Sequence, residues 1–115
     1  MSAMLTVDAE TTIRQIIISV SSGDYLSAVA QADMSRCSAT DISLAVSNYG
    51  RTFSAPPFVD WDVVAVNAEA GQEVWSVRAP LWSQSEGGRS DLELRFTVAI
   101  MDAATSVELD DILVA

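Results

Sequence analysis

The stretch that decides the fold is Asp91-Leu92-Glu93-Leu94-Arg95-Phe96-Thr97-Val98-Ala99-Ile100. Leu92, Leu94, Phe96, Val98 and Ile100 alternate with Asp91, Glu93, Arg95, Thr97 and Ala99, and a period of two puts the two sets on opposite faces of a strand. One face is therefore expected to be buried and the other mostly wet, as in an antiparallel sheet covered on one side. Downstream, residues 106–114 also read as a strand, but the alternation slips: Val107 and Leu109 share one parity, Ile112 and Val114 the other. A bulge around Asp110-Asp111 reconciles the two halves. Upstream, Trp75, Val77 and Ala79 mark a strand expected to stop at Pro80, and residues 61–66, rich in β-branched and aromatic types, mark another beyond the helix-breaking Pro56-Pro57. Glu69-Ala70-Gly71-Gln72 reads as the hairpin turn between them.

The first half of the chain carries the helical period instead. Ile13, Ile16, Ile17 and Val20 follow i, i+3, i+4, i+7 spacing after Asp8, an N-cap candidate, and Ser22-Gly23 marks the stop. Asp24 then caps a short second helix carrying Tyr25, Leu26 and Val29. Ser38 stands three residues before Asp41, ahead of a third helix with Ile42, Ala45, Val46 and Tyr49 on one face and Gly50 at its end. Three helices followed by four hairpin-connected strands predict an α+β domain, with the helices on one face of a four-stranded antiparallel sheet. The order of elements resembles a cystatin-like or nuclear-transport-factor-like cone, a likeness of fold that carries no function.

The 115 residues are expected to form a single domain, 1–115, and a composition that is half hydrophobic and 19% charged suits a globular core. Sixteen acidic residues face six basic ones, all arginine, for a net charge of -10, which disfavours nucleic acid as a ligand. The chain has no His, no Lys and one cysteine, Cys37, so it cannot build a Ser-His-Asp triad, a Cys-His dyad, a Schiff-base lysine, a Walker A lysine or a conventional zinc site. Carboxylates, Tyr hydroxyls, arginines and oxygen-bound hard metals remain for catalysis. A lone cysteine needs no oxidising compartment, and neither a signal peptide nor a spanning segment is visible, so the expected location is cytoplasmic with no membrane association. Arg36 beside Cys37 would lower its pKa, yet no base or resolving cysteine accompanies it, and the thiol is read as inert.

Several residues stand out by position. Asp60 and Asp62 flank Trp61 at strand spacing and point to one side, but two carboxylates fall well short of the six to eight oxygens calcium wants, so no metal or cofactor is expected. Asp110-Asp111 places one carboxylate toward the core side unless a bulge intervenes, and Arg89, Arg95 or Arg78 is the expected ion-pair partner. Trp82, in a loop expected over residues 81–88, is either an interface anchor or a lid folded on the core. Gly87-Gly88-Arg89-Ser90 leads into a strand rather than a helix and reads as a turn, not a phosphate cradle.

Trp75-Ser76-Val77-Arg78-Ala79-Pro80-Leu81-Trp82-Ser83, Glu86-Gly87-Gly88-Arg89-Ser90-Asp91-Leu92-Glu93-Leu94 and Val107-Glu108-Leu109-Asp110-Asp111-Ile112 resemble a family of small, uncharacterised bacterial proteins that pairs a PLW...EGRSDL loop and strand with a final DDI strand. Gly87-Gly88 departs from that family's single glycine. The chain also resembles the small acidic immunity proteins that bacteria make against toxins. That resemblance implies a non-catalytic binding protein that masks the basic surface or active site of a cognate toxin, with Asp60, Asp62, Trp82, Glu86, Asp91 and Glu93 as the contacts. Two other expectations stand beside it: a small-ligand-binding or enzymatic cone with Asp110 or Asp111 and a Tyr lining a cavity, and a structural homodimeric adaptor joined through a sheet edge or face.

Overall fold

A computed structural model describes residues 5–57, 59–66, 71–102 and 104–114. Phe58 and the first two residues, Glu69 and Ala70, of the turn expected at residues 69–72 lie outside them, as does the side chain of Glu86. Helix α1 spans Val7–Ser21. Its N-cap is Thr6 rather than Asp8: the Thr6 hydroxyl accepts from the Ala9 N–H at 3.2 Å, while Asp8 and Glu10 sit in the first turn, where negative charge complements the helix dipole. The helix ends in a Schellman arrangement, with Gly23 at φ 84 donating to the Val20 carbonyl and Asp24 donating to that of Ser19 at 2.8 Å. Asp24 then caps α2, Tyr25–Gln31, through the Ser27 N–H. Helix α3, Ala39–Tyr49, opens with the expected capping box, in which Ser38 and Asp41 each satisfy the other's backbone N–H.

Five strands form one sheet: β1 Met34–Ser35, β2 Asp62–Val66, β3 Gln72–Ser83, β4 Gly88–Met101 and β5 Ala104–Val114. Their order is β1-β5-β4-β3-β2, and β1 runs parallel to β5 while the other pairings are antiparallel. The sheet is therefore mixed and five-stranded, not the four-stranded antiparallel sheet expected. The extra strand is two residues long, so it has no period to read. Its place is secured by Asp33, whose N–H donates to the Val107 carbonyl and whose carboxylate accepts the Val107 N–H at 2.7 Å.

The helices cover one face. From α1 come Ala9, Ile13, Ile16, Ile17 and Val20, from α2 Ala28 and from α3 Ile42. They pack with Val77, Ala79 and Leu81 of β3, Leu92, Leu94, Phe96 and Val98 of β4, and Val107, Leu109 and Ile112 of β5. Burying each large aliphatic side chain contributes about 2 kcal/mol, which offsets the backbone ordering of such long strands. The β5 parity slip is a bulge, as expected: Arg95 faces Asp111 and Phe96 faces Leu109, so Asp110 is the extra residue.

Strand β3 does not stop at Pro80 but continues through Ser83. The Trp82 carbonyl accepts from Ser54 N–H on the side of β3 that faces β2, and strand alternation turns Pro80 the same way. Since β2 pairs only as far as Arg78, the missing proline N–H interrupts no ladder.

Candidate functional site

The side of the sheet away from the helices carries most of the charged groups singled out by the sequence. Glu93 lies on it, yet only 4% of the residue is exposed. Its Oε2 accepts from Nε of Arg78 at 2.8 Å and from Nε of Arg95 at 2.9 Å, and those two arginines face each other across β3 and β4. Burial opposes its charge, but the two guanidinium hydrogen bonds prevail and hold the carboxyl below the usual carboxylate range. Glu93 is thus the clamp of an Arg-Glu-Arg triad and not the solvent-facing contact expected of it; the alternation placed it on the right face but could not show that its neighbours would roof it over.

The expected ion pairs of Asp110 and Asp111 are not formed among the described residues. Arg95 is engaged by Glu93, and Arg89 reaches away from β5 toward the β2 edge, to Asp60 at 3.3 Å and Asp62 at 3.9 Å. Because of the bulge, Asp110 turns to the open face, where its carboxylate accepts from the Thr97 hydroxyl at 2.6 Å. Its pKa is raised, first by desolvation and then by the neighbouring Glu108, against the opposing Thr97 hydrogen bond and the charge of Arg36. Asp111 is exposed and accepts from the Ile112 N–H. Neither residue lines one of the described pockets. Arg36 pairs with Glu108 at 2.7 Å rather than lowering the Cys37 pKa. Burial, followed by the charges of Asp111, Asp41 and Asp110, pushes that thiol up to about 11.

Four of the residues singled out meet at one corner. Asp60, two residues before β2, and Asp62, its first residue, are bridged by Arg89, and Arg89 stands opposite Trp82 in the β3–β4 register. Trp82 is half-buried in strand, not in a loop, and its indole lies over Gly88: a Cβ built there would fall 2.7 Å from the ring. The 3₁₀ turn Gln84–Glu86 adjoins it. Asp91 is exposed, with its backbone N–H held by the Tyr49 hydroxyl at 3.1 Å next to a kink where the buried Ser90 hydroxyl satisfies both the N–H and the carbonyl of Leu92. Asp110 and Asp111 lie three strands from β2, roughly 14 Å at ordinary strand spacing, and belong to a different part of the face.

The pockets among the described residues carry little chemistry. A cavity of about 40 Å³ between α1 and the segment before β2 is lined by Ile17, Ile18, Pro56, Val59 and Trp61 with Arg14 at its rim, and an open groove of about 470 Å³ runs between α2 and α3. No group of three or more Cys, Asp or Glu residues suited to a metal occurs among the described residues, and no described helix is long and apolar enough to cross a membrane.

Fold and surface together define a small α+β domain with one helix-covered sheet face and one open, charge-bearing face. Residues 17–115 match the family model of DUF7668, a domain of unknown function, and the chain belongs to that family. The match runs from the middle of α1 through β5 and so takes in the corner of Asp60, Asp62, Trp82 and Arg89. No curated protein matches the chain.

Proposed function

We propose that this domain is an immunity-type binding protein that neutralises a cognate bacterial toxin in the cytoplasm by covering a basic surface or active site, without catalysis of its own. The observation that carries this reading is the distribution of the acid surplus. Asp8, Asp24, Asp33, Asp41, Asp62, Glu73, Asp91, Asp102 and Asp111 are all exposed, while the helix-facing side of the sheet is filled by Phe96, Leu94, Val77 and Leu109. Negative charge spread over a rigid surface steers a basic partner and speeds its capture, whereas a hollow cone for a small ligand would need that inner face to be open. The contacts assigned to the toxin are Asp60, Asp62, Asp91 and the Trp82 corner.

The test couples capture to protection. Tagged protein is used to retain partners from an extract of its own source, eluted in a salt gradient, and the retained partner is expressed with and without this chain. A basic partner that is toxic alone and tolerated with the wild-type chain, but not with the Asp60→Asn, Asp62→Asn double variant, supports the reading. A partner whose toxicity is unaffected by the wild-type chain removes it.

A further inference from the structure

The two edges of the sheet are unequally protected. At one edge β1 is only two residues long and is followed directly by α3. At the other, β2 presents five residues, Asp62-Val63-Val64-Ala65-Val66, in unbroken register with β3, without proline, lysine or bulge. Val64 is 59% exposed and Val66 45% exposed on the open face. Long, flat, apolar edges are avoided in free-standing sheets because their unpaired N–H and C=O groups template further pairing. The direction of those groups follows from the ladder. Trp82 turns its carbonyl toward the β2 side of β3, so Pro80, Arg78, Ser76 and Val74 turn theirs the same way, and Arg78, Ser76 and Val74 meet Asp62, Val64 and Val66 across the ladder. The N–H and C=O groups of Val63 and Ala65 therefore point away from the sheet, and among the described residues no other backbone group bonds to them.

We propose that the outer edge of β2 takes up an extended segment of a basic protein partner as a sixth strand, with a cationic side chain beside Asp62 and apolar side chains beside Val64 and Val66. This rests on the immunity-type reading and names where the toxin sits. Charge decides between occupants: a second copy of this chain would bring another net charge of -10 to an edge already flanked by Asp60 and Asp62, whereas a basic strand extends the row Asp62, Arg78, Arg95 with the sign that row lacks at its outer end. Main-chain bonds through Val63 and Ala65 supply the pairing, and the alternate side chains supply selectivity.

The probe is an eight-residue peptide in which arginine, valine, valine and lysine alternate with threonine, compared by fluorescence anisotropy with a peptide of the same composition whose alternation is broken. The full chain should bind the alternating peptide at least tenfold more tightly, less so in high salt, with slower hydrogen exchange at Val63 and Ala65. Ala65→Pro, which deletes an outward donor without touching the β2–β3 ladder, should weaken binding at least tenfold. Val64→Lys, at an exposed position that does not threaten folding, should do the same. Equal binding of both peptides overturns the proposal, as does a peptide-free dimer that Ala65→Pro dissolves, which would assign the edge to a second copy. Toxin protection separates the two readings: a chain that protects equally well with Val64→Lys and Ala65→Pro keeps the immunity-type function and loses the edge, while edge binding of the peptide without protection keeps the edge and loses that function.

Discussion

Gly88 is held at φ 128 with no room for a side chain, since the Trp82 ring occupies the space a Cβ would need. Gly87, at φ 78, has the same backbone demand but open space around it. The pair of glycines therefore does two jobs, one conformational and one steric. Gly87→Ala is expected to cost about 1–2 kcal/mol, the left-handed penalty alone. Gly88→Ala should cost about 1–3 kcal/mol more, because it also displaces the indole. Urea midpoints of the two variants check this, and equal losses would mean that Trp82 moves aside freely. The same contact changes the meaning of Trp82 itself: truncating it removes the roof over Gly88 as well as any interface contact, so the Asp60 and Asp62 variants are the cleaner probes of binding.

Helix α3 was legible because its start is written locally. Ser38 and Asp41 satisfy one another's N–H groups without help from the rest of the chain, and Ser38→Ala is expected to destabilise the protein by about 1 kcal/mol in chemical denaturation. An unchanged midpoint would show that α3 is held by its packing on α2 and β5 alone. Strands β3 and β1 were less legible. Proline ordinarily ends a strand, and nothing local to Pro80 announces that β2 stops two residues short of it. Strand β1 depends on a parallel pairing with residues more than seventy positions away, held by Asp33, and no local pattern encodes such a contact. The bulge in β5 was legible because both apolar pairs must reach the same buried face, and with opposite parities they do so only if one extra residue lies between them.

Across the whole molecule the carboxylates act on stability in opposite directions. Glu93 titrates below its unfolded value, so it contributes stability above the unfolded carboxylate range, and that contribution is lost as pH falls through its folded pKa. Asp110 titrates above its unfolded value, and its charged form is a burden at neutral pH that protonation relieves. Glu93→Gln is expected to lower stability at pH 7 by about 1–3 kcal/mol, the range for hydrogen bonds to charged groups, toward the lower end because both arginines are partly solvated. The gap between wild type and variant should narrow as pH is lowered below the carboxylate range. Denaturation midpoints measured from pH 7 to pH 3 test this, and a gap of constant size would show that the charge on Glu93 does not matter to the triad.

The sequence by itself determined the class of fold, three helices with the N-caps of α2 and α3, the buried face of β4 and the bulge in β5, because each is set by spacing within a few residues. It also determined the charge and the absence of whole classes of catalytic chemistry, which depend on composition alone. Tertiary structure decided which arginine meets which carboxylate, that Glu93 is buried while Asp110 faces outward, that Trp82 lies in a strand, and that the outer edge of β2 meets no other strand among the described residues. Those outcomes depend on which strands become neighbours, and neighbours in a sheet are chosen by the packing of the whole chain rather than by any stretch of it.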